Sequence, residues 1–216
     1  MSLLRQGIKS ACASLLPKSF FFTHGKQTGN QIALTFDDGP DPEFTPLLLD
    51  FLQKENVRAT FFVIGKKAEQ HPHLIERMAR EGHEIGNHTY SHSEPRETST
   101  QKLIDEIRQT DDLIEKFSHR SCRWMRPPKG ELNVSKMFQL WKEKQTVALW
   151  SVDSKDYLMQ STTEAITWAK AYKPTSGDIL LMHDNYPYAI PMVTELLLQQ
   201  KQQWNFVTLT ELIIDN

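Results

Sequence analysis

Short apolar runs rich in β-branched and aromatic residues alternate along this chain with longer stretches whose apolar positions recur every three or four residues. The first pattern predicts strands and the second amphipathic helices. Strands are predicted at 32–36, 60–64, 84–86, 123–126, 147–152, 179–182 and 206–209, about seven in all. Helices are predicted between them at 45–55, 72–81, 100–117, 134–144, 162–171 and 190–202. Strict alternation argues for an α/β fold with a parallel sheet, because parallel neighbours need a crossover and a helix usually supplies it. A complete eightfold barrel takes roughly 250 residues. At 216 residues the chain suits a reduced or irregular barrel, or an open doubly wound sheet.

Ahead of the first strand, Leu4, Ile8, Ala11, Cys12 and Leu15 recur at helical spacing, with Arg5, Lys9 and Lys18 off the stripe and Pro17 ending it. The pattern predicts a helical extension within residues 1–30, followed by one domain over 31–216. No repeat, low-complexity tract or Gly/Ser linker divides that domain. The extension would cover one end of the domain, and its basic amphipathic character also suits peripheral contact with an anionic membrane surface.

Composition removes several classes of function. With 25 basic against 27 acidic residues the formal charge is -2 and the pI about 6.4, so nothing electrostatic favours nucleic acid. Hydrophobic residues make up 39% at a mean hydropathy of -0.50, enough for a core but without a run of ~20 apolar residues to span a membrane. Cys12 and Cys122 can form neither a disulfide framework nor a Cys-x-x-Cys metal site. Polar Gln6, Lys9, Ser10 and Ser14 interrupt the stretch where a signal peptide needs its apolar region, so a cytoplasmic location is expected.

The residues capable of chemistry fall just after the predicted strands: Asp37 and Asp38, His88 and His92, Arg126, Asp153 and Asp156, and His183. Loops leaving the C-terminal ends of parallel strands converge on one face, so these distant positions can share a site. Adjacent strand residues point to opposite sides, so Asp37 and Asp38 should do different jobs, one binding a cation and the other facing a bound water. Asp-Asp-Gly-Pro is also ordinary turn chemistry. His88 and His92, four apart, would share one face of a helical turn, and two imidazoles with a carboxylate leave zinc positions open. The other histidines, His24, His71, His73, His83 and His119, show no such pattern and are expected at the surface or in caps. Arg126, rigidly placed beside Pro127-Pro128, could hold a carboxylate such as Asp37 bidentately. His183 near an Asp that raises its pKa would suit a proton donor.

Taken in order, Thr35-Phe36-Asp37-Asp38-Gly39, His88-Thr89-Tyr90-Ser91-His92, Arg126-Pro127-Pro128-Lys129-Gly130, Asp153-Ser154-Lys155-Asp156-Tyr157 and Leu181-Met182-His183 resemble the motif set of the polysaccharide deacetylases, the carbohydrate esterase family 4 or NodB homology domain. The resemblance covers about residues 31–209. It implies a distorted (β/α) barrel and a divalent-metal hydrolase that removes acetyl groups, usually from N-acetylated sugars. Carried over by position, it implies Asp38, His88 and His92 as metal ligands, with zinc first and cobalt or another divalent ion as alternatives. It further implies Asp37 as general base, Arg126 orienting Asp37, His183 as general acid and Asp156 tuning His183. Lys129 would lend a backbone N–H to the oxyanion. Lys129 and Tyr157 depart from an aromatic residue and a tryptophan common in the family, which bears on contacts to the saccharide substrate more than on chemistry. An O-acetyl esterase, a non-catalytic sugar-binding barrel and a non-haem iron oxygenase are the competing readings.

Overall fold

The computed structural model describes residues 20–94, 96–200 and 203–214. The helix predicted over residues 4–15 lies outside them.

Nine strands among the described residues form one parallel sheet: β1 (Phe21–Phe22), β2 (Gln31–Gly39), β3 (Thr60–Val63), β4 (Glu84–Asn87), β5 (Trp124–Met125), β6 (Thr146–Ala148), β7 (Val152–Asp153), β8 (Ile179–His183) and β9 (Asn205–Val207). Their order is β1-β6-β5-β4-β3-β2-β8-β7, with β9 paired to β2. The helices are α1 (Phe44–Glu55), α2 (Gly65–Gln70), α3 (Pro72–Arg80), α4 (Thr100–Ser118), α5 (Val134–Lys142), α6 (Thr162–Ala171), α7 (Ala189–Gln200) and α8 (Leu209–Ile214). None of the described helices is long and apolar enough to cross a membrane.

The expected α/β barrel is present, in distorted form. Two departures from the predicted strands explain the distortion. The run 147–152 is not one strand: β6 pairs with β5 and β1, whereas β7 pairs with β8. Only residues 149–151 join them, and four virtual bonds from Ala148 to Val152 reach at most about 14 Å. The sheet must therefore curl until its two ends nearly meet, closed by the chain instead of by a ladder. The second departure is β1, two residues inside the predicted extension, whose Phe21 and Phe22 pair with Val147 and Ala148. Such a short strand has no period to read.

Period-two alternation sets which side chains face the barrel interior. Leu34 and Phe36 of β2, with Phe61 and Val63 of β3, pack outward against Leu48, Leu49 and Leu52 of α1 and Ile75 and Met78 of α3. Ala33, Phe62, Trp124 and Ile179 form an inner cluster. Leu209 and Leu212 of α8 join that inner cluster and plug its lower end, so Leu209 begins a helix and is not the end of a strand. The same alternation turns Thr35 and Asp37 inward above Ala33, and Leu181 and His183 inward above Ile179. Caps fix several helix starts: Ser99 accepts from Lys102 N at 3.1 Å, Asn133 from Lys136 N at 2.9 Å and Ser161 from Glu164 N at 3.3 Å.

Candidate active site

At the C-terminal ends of the strands, Asp38, His88 and His92 each bring one ligand atom into a group whose members lie within 4.8 Å of one another. Asp38 reaches it through a bulge. The β2–β3 register shifts between Asp37 and Gly39, and Asp38 takes φ 71°. A bulge re-aims a side chain. The strict alternation expected of adjacent aspartates therefore fails here, and both carboxylates face the same site. The peptide between Gly39 and Pro40 is cis. Lys67 of α2 donates from Nζ to the Asp38 carbonyl at 2.7 Å and holds the bulge from above.

The histidines do not share a helical turn. Residues 88–92 form an irregular loop in which Thr89 and His92 have φ 64° and 54°. Asn87 Oδ1 accepts the Thr89 N–H at 2.8 Å, and Glu106 of α4 accepts from Ser91 N and Oγ. These side-chain caps replace the helical bonds that the four-residue spacing suggested. His88 Nδ1 lies 2.8 Å from the Arg126 carbonyl. A carbonyl can only accept, so Nδ1 carries the proton and Nε2 presents its lone pair, the arrangement that orients a metal-ligating imidazole.

Three donors fit one divalent ion. His88 Nε2 and His92 Nε2 stand 3.4 and 3.3 Å from Asp38 Oδ1. Tetrahedral ligands about 2.1 Å from zinc lie about 3.4 Å apart. Asp38 Oδ1 is moreover a buried oxygen without a hydrogen-bond partner among the described residues, which an ion would satisfy. Burial would raise the Asp38 pKa, but the imidazoles of His88, His92 and His183 outweigh it and hold this carboxyl well below its ordinary range.

Asp37 is buried, and its two oxygens are divided between partners. Oδ1 accepts from Arg126 Nη1 at 2.6 Å, while Oδ2 lies 3.8 Å from His88 Nε2, on the side of the ligand group. Arg126 is wholly buried inside the barrel, its guanidinium carbon 4.0 Å from the centre of the Phe62 ring. Its Nε donates to Ala148 O at 3.1 Å, Nη1 also to Thr35 Oγ1 at 2.9 Å, and Nη2 to Leu149 O at 3.2 Å. The clamp on Asp37 is thus a single bond, not the bidentate fork expected, because the remaining donors hold the strand ends.

Beside it on the neighbouring strand β8, His183 Nδ1 pairs with Asp156 Oδ1 at 2.7 Å, and Asp156 Oδ2 accepts the His183 backbone N–H at 2.7 Å. Burial would lower the His183 pKa. The hydrogen bond to Asp156 and the charges of Asp156, Asp37 and Asp38 prevail and raise it to about 9. Tyr157, 43% exposed, stands edge-on to His183 at 5.4 Å, and Tyr186 does the same from 6.2 Å. Asp153 accepts the Lys155 N–H at 3.0 Å and serves the turn. Lys129 is exposed with φ 56°, and its Nζ is 2.5 Å from Glu94 Oε1, so its charge is already paired.

Two contributors carried no role in the sequence reading. Asp184, buried behind the bulge, accepts from Thr45 Oγ1 at 2.6 Å. A Cβ built on Gly39 would meet its carboxylate oxygens at 2.1 and 2.2 Å, so glycine is what lets the two segments touch. Tyr186 forms an aromatic wall from the loop after β8. Asp184 could have been found from its place directly after His183; Tyr186 had no such signal.

Comparison with known proteins gives the family. The polysaccharide deacetylase profile matches residues 24–146. A peptidoglycan-N-acetylglucosamine deacetylase of Bacillus cereus is 37% identical over 189 residues, covering 84% of this chain and 87% of its own length. A second Bacillus cereus protein of that name is 35% identical over 170 residues, covering 79% of this chain, and the chain spans 62% of its length. The crystal structure of the Bc1960 peptidoglycan N-acetylglucosamine deacetylase superposes with a TM-score of 0.83 at 30% identity, covering 90% of this chain and 92% of that one. On the profile match and on relatives of this identity and coverage, the chain belongs to the polysaccharide deacetylase family.

Proposed function

We propose that this protein is a metal-dependent hydrolase that removes the acetyl group from N-acetylated hexosamine residues of a saccharide chain. The observation that carries the reading is the convergence of two buried pairs, Arg126–Asp37 and Asp156–His183, beside a three-donor ligand group. A sugar-binding barrel has no use for both pairs, and an iron oxygenase has no use for a base and an acid. A divalent ion on Asp38, His88 and His92 would supply Lewis acidity, lowering the pKa of a water and polarising the acetyl carbonyl.

The chain's own groups then divide the proton work. Arg126 occupies Oδ1 of Asp37 and fixes the orientation of its carboxylate, leaving Oδ2 to take the proton of the attacking water. The backbone N–H of Lys129 serves the tetrahedral oxyanion. His183, with its Nδ1 proton committed to Asp156, donates from Nε2 to the departing amine. Acetate and a free amine result. An amine leaves poorly unless protonated, whereas an alkoxide needs that help less, so the acid built around His183 favours N-acetyl over O-acetyl substrates. The names of the similar Bacillus cereus enzymes support the same class. Tyr157 and Tyr186 would flank the sugar at the rim.

The test is acetate release by metal-loaded and chelated protein from N-acetylglucosamine oligomers and, side by side, from O-acetylated xylo-oligomers. Metal-dependent release with higher kcat/KM on the N-acetylated series is expected. Higher kcat/KM on the O-acetylated series would reverse the assignment, and full activity after demonstrated metal removal would end it.

A further inference from the structure

At the opposite end of the barrel, below the N-terminal ends of β3, β4 and β5, lies a surface cavity of about 220 Å³. Its walls include Arg58, His83, Glu84, Ser118, Arg120 and Arg123. It is separate from the site above: five residues of extended chain from His83 to His88 span about 16 Å.

Arginines outnumber acids on its walls, three to one. Arg58 pairs with Glu211. Arg120 and Arg123 make no ion pair among the described residues, and Arg123 only stacks over the Trp124 ring at 5.4 Å. Glu84, the acid on the wall, is spent: it accepts from Trp124 Nε1 at 2.8 Å, from Thr60 Oγ1 and Thr210 N at 3.0 Å each, and from Thr210 Oγ1.

His83 adds an independent sign. It is 2% exposed, contrary to the surface or capping place expected of it. Its Nδ1 accepts the Ala59 N–H at 3.2 Å, so in the neutral ring Nε2 carries the proton, and that buried N–H has no partner among the described residues. Burial, with the charges of Arg77 and Arg58, pushes the His83 pKa down to about 4, which keeps the ring in this neutral donor form. An orphaned buried donor is costly unless something accepts from it.

We propose that this cavity binds a phosphate-class dianion, free or ester-linked, through the guanidinium groups of Arg58, Arg120 and Arg123 and the Nε2–H of His83. Guanidinium donors match the tetrahedral oxygens of such an anion, and a cavity this size admits the group with room for an attached substituent.

Calorimetric titration of the full chain with inorganic phosphate, pyrophosphate and a sugar monophosphate, at constant ionic strength with chloride as reference, tests this. Because phosphate also binds metals, the titration is repeated on the His88→Ala/His92→Ala chain. Saturable one-to-one binding that survives in that chain is expected, weakened roughly tenfold by Arg120→Ala and by Arg123→Ala, with the deacetylation rate of those two variants unchanged. The imidazole Nε2–H resonance of His83 should move on binding, a readout that needs no His83 variant to fold. Tighter binding of the inorganic ions assigns a free anion, and tighter binding of the sugar monophosphate an esterified one. Affinity no greater than for chloride, loss of binding with the metal ligands, or indifference to both arginine substitutions would overturn the proposal.

Discussion

Asp37 and His183 are register partners across β2 and β8, two hydrogen-bonded parallel strands. Paired residues of neighbouring strands share a face about 4.8 Å apart, so the proposed base and acid stand side by side on the interior surface, each backed by its own buried partner. Arg126 approaches Asp37 from β5's end of the barrel and Asp156 approaches His183 from the turn after β7. The two partners differ in kind: an arginine holds the carboxylate of Asp37, and an aspartate holds the imidazole of His183 and raises its pKa.

The two neighbouring aspartates should separate by experiment. Asp38→Asn is expected to lose the ion, since Asp38 supplies one of three ligand atoms. Asp37→Asn should retain it and lose about 10²–10⁴ in rate, as removal of a general base does. Metal content by elemental analysis alongside kcat decides; equal metal loss in both variants would contradict the division.

His183 must be protonated to donate, so activity should fall as pH rises through its pKa, held up near 9. In Asp156→Asn the chief group raising that pKa is gone, and the alkaline limb of the kcat profile should move to lower pH. His183→Ala should depress amide cleavage more than cleavage of an activated aryl acetate, whose leaving group needs little protonation. An alkaline limb unmoved by Asp156→Asn would remove Asp156 from the role of tuning the acid.

The order of strands, helices and site residues was legible because each rests on local pattern: alternation around Leu34 and Phe36, helical periodicity from 100 to 117, polar residues just beyond strand ends. What was not legible depends on contacts between distant segments. Asp38 points beside Asp37 only because a bulge with φ 71° interrupts β2, and that bulge is held by Lys67 and Asp184 from elsewhere in the chain. The four-residue spacing of His88 and His92 suggested a helix, but Asn87 and Glu106 supply competing caps. Residues 147–152 read as one strand since their apolar character is continuous, yet the closing of the sheet breaks them in two. His83 has the composition of a surface residue, and only the packing of Phe61 at 5.2 Å reveals that it is buried.

Arg126 is buried among carbonyls, a hydroxyl and one carboxylate, so its charge depends on Asp37. Arg126→Met should destabilise the fold by about 3–5 kcal/mol by leaving Asp37 buried and unpaired. Adding Asp37→Asn should recover part of that loss. Denaturant titrations of the two single variants and the double variant give the coupling; strict additivity would mean that the pair does not act as a unit.

Gly39 and Asp184 provide the last test, because they meet behind the metal-ligand bulge. A side chain at Gly39 would collide with the Asp184 carboxylate, so Gly39→Ala should displace the bulge and weaken metal binding by tenfold or more, although the substituted residue touches no ligand atom. Asp184 itself is pushed up to about 7, mainly by burial and further by the charge of Asp38, against the hydrogen bond from Thr45 and the charge of Lys67. A carboxyl whose folded pKa is raised above its unfolded value near 3.8 contributes stability that is full below that value and is lost as pH rises toward 7. Asp184→Asn keeps the shape and the acceptor for Thr45 but cannot ionise. Relative to the parent chain, this variant should therefore gain stability between pH 4 and pH 8, by on the order of 4 kcal/mol, while the bulge and its ion stay in place. Chemical denaturation at the two pH values, with metal content measured in parallel, reads both effects. A stability difference that does not change with pH would show that Asp184 is ionised throughout and that its contact with Gly39 is made by a carboxylate.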